Sequence, residues 1–298
     1  MDVAIRDAIL PAAGTFRAVE QLAEIGARGV EIEVRLDSEL ETPHQVGRGD
    51  EVPYSLADEE GIGLLRTRLT RERVRAGALL VANDFSAGNA GAHVERVVQV
   101  VRAAATLGVP AVRIDPLSAD KTLSADVVRA RFVDGVRQVL RRTAHLPVDL
   151  GIENHGPIAN DPAWLDAVLD ELDDPRAGLT LDTGNFYWFG FARDEVYGLV
   201  EKYASRAKHT HVKNINFPPD RADRRREVGY GYKEYCCGVD EGNLDLRRVV
   251  RLLRDGGYDG DLCVEDESLF KVPPDRRVEA LRRQVRALRD AVTSEARG

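Results

Sequence analysis

Short apolar runs alternate with longer amphipathic stretches along the whole chain. The short runs predict strands over Val3–Arg6, Gly29–Val34, Ala78–Asn83, Ala111–Asp115, Val148–Glu153, Gly178–Asp182, His209–Lys213 and Asp261–Glu265. Helical spacing between them predicts helices over Phe16–Ile25, Asp58–Arg73, Ala92–Leu107, Ser124–Ala144, Ala163–Leu172, Asp194–Tyr203, Leu246–Asp255 and Pro274–Ser294. Gly26, Gly108 and Gly256-Gly257 fall just past helix ends, where a left-handed residue is wanted. Eight strands, each followed by a helix, give an α/β chain with one closed (β/α)8 barrel, a single domain over residues 1–298. Two connections are longer than the rest, Asp37–Leu56 and Asn214–Asn243. Both follow strands at their C-terminal ends, so both are expected to border a pocket there, and one to order on ligand binding or at a subunit contact.

Period-two alternation then assigns faces. Val30, Ile32 and Val34 share the side that meets helices, which turns Glu31 and Glu33 inward. Val112 and Ile114 go outward and leave Arg113 and Asp115 inside. Arg6 points in from the first strand. Glu153 and His155 share a face, as do His209, His211 and Lys213, and Cys263, Glu265 and Glu267. An ordinary barrel interior is filled with Val, Ile and Leu. A charged interior costs several kcal/mol per unpaired ion by rough estimate, so it calls for a metal, internal pairing and a polar ligand.

Any one acidic residue here could simply end a strand. Three of them and a histidine, with matched parity at the ends of strands five to eight, point instead to a metal. Glu153, Asp182, His211 and Glu265 make an oxygen-rich set with one imidazole. That suits one octahedral divalent ion, Mn²⁺ first, with Mg²⁺, Co²⁺ or Zn²⁺ as alternatives. His209 lies deeper and reads as a supporting or structural group. His155 and Lys213 read as substrate-facing, joined by Asn185, Glu33 and Arg113. Glu31 could equally be a structural carboxylate paired to an inward arginine. Phe186-Tyr187-Trp188-Phe189 reads equally as core packing or as a wall of the pocket or a subunit contact. The run Arg221 and Arg224–Arg226 is either a solvated face, the commoner case, or an anion site.

Composition narrows the partners. A net charge of -8 with pI near 5.4 argues against a nucleic-acid binder. With only 3 Cys, two of them the neighbours Cys236 and Cys237, no disulfide framework is expected and the pair reads as reduced. Asp2, Arg6 and Asp7 interrupt the first ten residues, which rules out a signal peptide there, and no later stretch is apolar enough to span a membrane. A cytoplasmic protein is expected, as a homo-oligomer or with a partner subunit.

The stretches Ile152-Glu153-Asn154-His155, Leu181-Asp182-Thr183-Gly184-Asn185, His211-Val212-Lys213-Asn214 and Gly238 to Glu267 resemble the sugar phosphate isomerase/epimerase superfamily, the xylose isomerase-like barrels. By that resemblance the quartet would bind the metal, and Glu153 and Glu265 would also be the acid/base pair. The implied activity is a metal-dependent isomerase or epimerase of carbohydrate metabolism. It would act on a sugar or polyol-like keto substrate by proton abstraction through an enediolate. This chain has Asn185 near the place where ketose 3-epimerases of the superfamily carry a histidine. The alternative is a lyase or dehydratase, including C-glycoside cleavage, which shares the first step. A non-catalytic sugar-binding barrel comes behind both. So does an abasic-site endonuclease, whose three-zinc site His44, His93 and His145 are badly placed to build.

Overall fold

The apolar alternation closes on itself. In the computed structural model, which describes residues 1–10, 15–36, 43–46 and 54–295, eight parallel strands form a ring. They are β1 (Asp2–Arg6), β2 (Gly29–Leu36), β3 (Arg75–Val81), β4 (Ala111–Ile114), β5 (Asp149–Glu153), β6 (Ala177–Asp182), β7 (Ala207–Val212) and β8 (Asp261–Val264). Each pairs with its successor, and β1 pairs with both β2 and β8, with Ile5 opposite Val30 on one side and Val264 on the other. The eight expected helices lie between or after these strands and form the outer layer. The chain is therefore a (β/α)8 barrel.

The outward faces of the strands make the core with the helices. Val30, Ile32, Val34, Val112 and Ile114 are all buried in it. Phe85, Phe132 and Trp164 pack in series outside β3 to β5, with ring centroids 5.7 and 6.0 Å apart. Helix starts are capped by short polar side chains: Asp58 accepts from Gly61 N and Ser124 from Val127 N. Gly26, Gly108 and Gly257 take the left-handed conformation at helix ends, whereas Gly256 stays helical. The third strand begins and ends earlier than its apolar run suggested. Asn83, just past it, instead holds Asp115 by two backbone hydrogen bonds of 2.8 and 2.9 Å. The last helix starts at Arg277, because Pro274–Arg276 forms a separate 3-10 turn.

The connection after β7 is built on an antiparallel ribbon, Asn214–Ile215 with Cys236–Cys237. Most of the connection after β2 falls on residues 37–42 and 47–53, so its expected place at the pocket lies outside the described residues. Two short strands there, Pro43–Val46 and Tyr54–Ser55, pair antiparallel, the first also with the end of β2. No described helix is long and apolar enough to cross a membrane.

Candidate functional site

The four residues expected to converge do so at the C-terminal end of the ring. Glu153 and Asp182 are the last residues of β5 and β6, His211 is next to last on β7, and Glu265 follows β8. All four are buried, and one donor atom from each lies within 4.8 Å of all the others. Local structure fixes each carboxylate. Asp182 Oδ1 caps the short helix Thr183–Phe189, accepting from Gly184 N at 2.8 Å and Asn185 N at 2.9 Å. Its other oxygen is left for the cluster. Asn154 ties β5 to β6 by accepting from Asp182 N at 2.7 Å and donating to Asp182 O at 3.0 Å. Gly184 lets the Lys213 stem pass: a Cβ there would sit 2.4 Å from Lys213 Cβ.

The cations around the quartet are all engaged by carboxylates. Arg113 Nε donates to Glu153 Oε2 at 2.6 Å, and the same guanidinium donates to Asp115 Oδ2 at 2.9 Å. Arg6 holds Glu265 and lies 3.7 Å from Glu33. Lys213 Nζ lies 3.1 Å from Asp182 Oδ2, 2.9 Å from Glu265 Oε2 and 3.2 Å from Glu267 Oε1. Despite those distances, Asp182 Oδ2 and Glu265 Oε2 accept no aligned hydrogen bond. Five buried carboxylates, Glu31, Asp115, Glu153, Asp182 and Glu265, thus face three cations, Arg6, Arg113 and Lys213. With His211 neutral, as a ligand must be, two negative charges remain, the charge of one divalent ion, and two bare buried oxygens lie in the cluster. The residues present fit such an ion.

The electrostatics follow from this crowding. Burial pushes the Asp182 carboxyl up, to about 6; Lys213 opposes that, and Glu265 and Glu153 add to it. Burial also works against charge on Glu153, but Arg113 and then His211 hold it well below the usual carboxylate range. For Glu265, burial is again outweighed, here by Lys213, His211 and Arg6. Burial disfavours a charged His211, yet Glu31, Glu265 and Glu153 together hold its pKa well above the ordinary value.

The residues expected to face substrate divide. His155 is half-buried at the mouth, its Nδ1 2.8 Å from Asp115 Oδ2. Glu33 is one-third exposed there. Arg113 and Asn185 instead turn to the cluster: Asn185 donates to Glu153 Oε1 at 3.1 Å and accepts from Lys213 Nζ at 3.4 Å. Glu31 does not pair with an arginine; its Oε2 meets His211 Nε2 at 2.6 Å, because His211 reaches across the barrel toward it. Two residues at the site were given no role from the sequence. Glu267 contacts Lys213, and Tyr232 reaches in from the connection after β7 to hydrogen-bond Glu267. That connection therefore reaches the C-terminal end of the ring, on the side where it was expected. A glutamate two places beyond Glu265 on one strand face was the available signal for Glu267. Nothing local marks Tyr232.

Two other stretches resolve. Phe186 and Tyr187 are core, stacked on Tyr203 and edge-on to Phe217. Arg221, Arg224 and Arg225 are exposed, the solvated face expected first, whereas Arg226 is half-buried. Its guanidinium lies 4.5 Å from the Tyr187 ring and 4.2 Å from Phe217, and donates to Tyr187 O and Phe191 O. Cys236 and Cys237 are free, and burial raises both thiols.

An inosose dehydratase of Klebsiella pneumoniae is 28% identical over 141 residues, which cover 46% of this chain and 47% of that protein. The match thus spans about half the length of that relative. Among solved structures, an IOLI protein with a binding zinc atom superposes with a TM-score of 0.73 at 15% identity, covering 99% of both chains. An L-ribulose 3-epimerase superposes with a TM-score of 0.67 at 16% identity, covering 99% of this chain and 96% of that one. At these identities the two structures speak for the fold. A family model described as xylose isomerase-like TIM barrel matches residues 19–291, and the chain belongs to that family.

Proposed function

We propose that this protein is a divalent-metal-dependent lyase that removes water from a neutral polyhydroxy ketone, a cyclitol or sugar. The observation that carries this reading is the convergence of Glu153, Asp182, His211 and Glu265 around two bare buried oxygens. The likeness to inosose dehydratase turns it from the isomerase or epimerase expected first toward elimination. Those reactions share the opening proton abstraction and differ in what leaves next.

Glu153, Asp182, His211 and Glu265 would hold the ion, with manganese expected first and zinc the nearest alternative. When bound, the ion supplies Lewis-acid polarisation of a ketone oxygen and its neighbouring hydroxyl. The protein supplies the rest. Glu153 or Glu265 takes the proton from the carbon beside the carbonyl. The electron pair of that C–H bond becomes a C=C bond as the bond to the neighbouring hydroxyl breaks. Lys213 gives the departing hydroxide a proton, so one water leaves and no oxidant is needed. Arg113, Arg6 and Asn185 keep the two glutamates in place, and His155 and Glu33 position hydroxyl groups at the mouth.

The test is incubation of the protein, loaded in turn with Mn²⁺, Co²⁺ and Zn²⁺, with inosose and a panel of keto-sugars in D₂O. The expected product of inosose has lost the mass of one water. A product of unchanged mass apart from carbon-bound deuterium would return the reading to epimerase or isomerase. Stoichiometric metal with neither water loss nor exchange on any substrate would sink the catalytic reading.

A further inference from the structure

Beneath the quartet lies a contact that the chemistry above does not use. Glu31 is fully buried, and its Oε2 lies 2.6 Å from His211 Nε2. The same oxygen is 3.8 Å from His209 Nε2 and 3.7 Å from Cys263 Sγ. Both strands that make the contact slip register beside it. β2 slips against β3 between Val30 and Glu31, passing over Gly77, and β7 slips against β6 between Leu179 and Thr180, passing over Lys208. One-residue slips of this kind re-aim side chains next to active sites.

An imidazole nitrogen that carries a proton cannot also ligate a cation. A carboxylate on Nε2 keeps the proton there and leaves the lone pair on Nδ1. In this protein Nδ1 is the nitrogen that faces the quartet, 3.0 Å from Glu265 Oε2, 3.4 Å from Glu153 Oε1 and 4.0 Å from Asp182 Oδ2. We propose that Glu31 is the positioning residue of the metal centre, fixing the ring orientation and tautomer of His211. The proposal rests on the reading that the quartet holds a divalent ion.

A rival account gives the lower group its own ion. Glu31, His209, His211 and Cys263 also place donor atoms within 4.8 Å of one another, and Glu31 Oε1 and His209 Nε2 lack hydrogen-bond partners. Charge decides against it. One divalent ion already neutralises the upper interior. A second would leave excess positive charge even with Cys263 ionised, among residues that are at most 1% exposed. That position is costly without further carboxylates.

Metal-free protein is titrated with Co²⁺, following heat and the visible spectrum, in wild type, Glu31→Gln, Glu31→Ala and Cys263→Ala. Wild type is expected to bind one ion. Glu31→Ala should bind about 10- to 100-fold more weakly, with an altered cobalt spectrum. Glu31→Gln should stay close to wild type, because its amide oxygen still accepts from Nε2. Cys263→Ala should change neither stoichiometry nor affinity. Should Glu31→Ala not fold, Glu31→Leu fills the space without an acceptor and carries the same expectation. Unchanged affinity and spectrum in the acceptor-free variant overturns the proposal, leaving Glu31 a merely structural group whose loss lowers only the melting temperature. Two ions in wild type and one in Cys263→Ala would make the lower group a metal site. Wild type that binds no ion refutes the proposed function itself, a result separate from both.

Discussion

The two ends of the barrel bury the same kinds of group in different proportions. At the base, Arg75 lies between Asp261 and the exposed Asp2, so one cation serves one buried carboxylate. At the opposite end five buried carboxylates face three cations. A matched pair needs nothing further to be tolerated away from water. An unmatched cluster persists only if something else supplies charge, or if some of its members stay protonated. The imbalance, more than the presence of acids, separates a working end from a structural one.

The largest expected effect comes from removing one unmatched acid. Asp182→Ala should lose the ion and, with it, turnover to below detection. It should also lose about 1 kcal/mol of stability as the cap on Gly184 and Asn185 disappears. Asp182→Asn keeps a capping oxygen but not the charge, so it should keep the melting temperature and still bind metal poorly. Metal content and thermal melting of the same preparations check both. Wild-type stoichiometry in both variants would erase the contrast between the two ends.

Next come Glu153→Gln and Glu265→Gln. Each keeps the shape and one oxygen ligand while removing the basic charge. Both should retain much of the metal and lose turnover by about two to four decades, the usual range for a general acid/base group. Near-normal kcat with metal bound would move the proton transfer to Lys213 or His155.

The pH dependence is smaller and has a definite sign. The folded pKa of Asp182, about 6, lies above its ordinary value of 3.8. In the ion-free protein this group therefore contributes stability at low pH, lost as pH rises through about 6. The ion must displace that proton, so its affinity should fall as pH drops through about 6, by up to about tenfold per unit. The rise in melting temperature on adding Mn²⁺ should accordingly grow between about pH 5 and 8. A rise that is flat over this range would mean that Asp182 is already ionised without the ion.

How much of this could be read from the chain depends on range. The strands and their inward faces were legible because a period of two is a local property, and each quartet member stands at the end of its own apolar run. The partner of Glu31 was not, since His211 lies 180 residues away and meets it only through two register slips. Arg226 was misread for a similar reason. A run of arginines looks solvated until the fold inserts one between Tyr187 and Phe217. Asn154 was legible as part of a motif, but its clamp on the Asp182 backbone needs the β5–β6 pairing.

His155→Ala tests the mouth. The ring is half-buried and held by Asp115 outside the quartet, so its loss should raise KM, by about tenfold, more than it lowers kcat. A fall in kcat with unchanged KM would instead place His155 in the chemical step.

The smallest effect on the site should come from the base, and it is the control for the whole comparison. Arg75 is half-exposed while its partner Asp261 is buried. Arg75→Ala leaves that carboxylate without its cation, and burial already pushes the Asp261 pKa up, with Arg75 the chief group opposing it. The variant should lose about 1–3 kcal/mol of stability near neutral pH, the cost of leaving one buried polar group unsatisfied. Asp261→Asn in the same background removes the stranded charge and should recover part of the loss. Neither change alters the count of charges around Glu153, Asp182, His211 and Glu265, so the metal affinity of the folded fraction should match wild type. Melting curves and metal titrations at one pH separate the two readouts. If Arg75→Ala weakens the ion as much as it weakens the fold, the interior acts as one electrostatic column, and the two ends of the barrel are not independent.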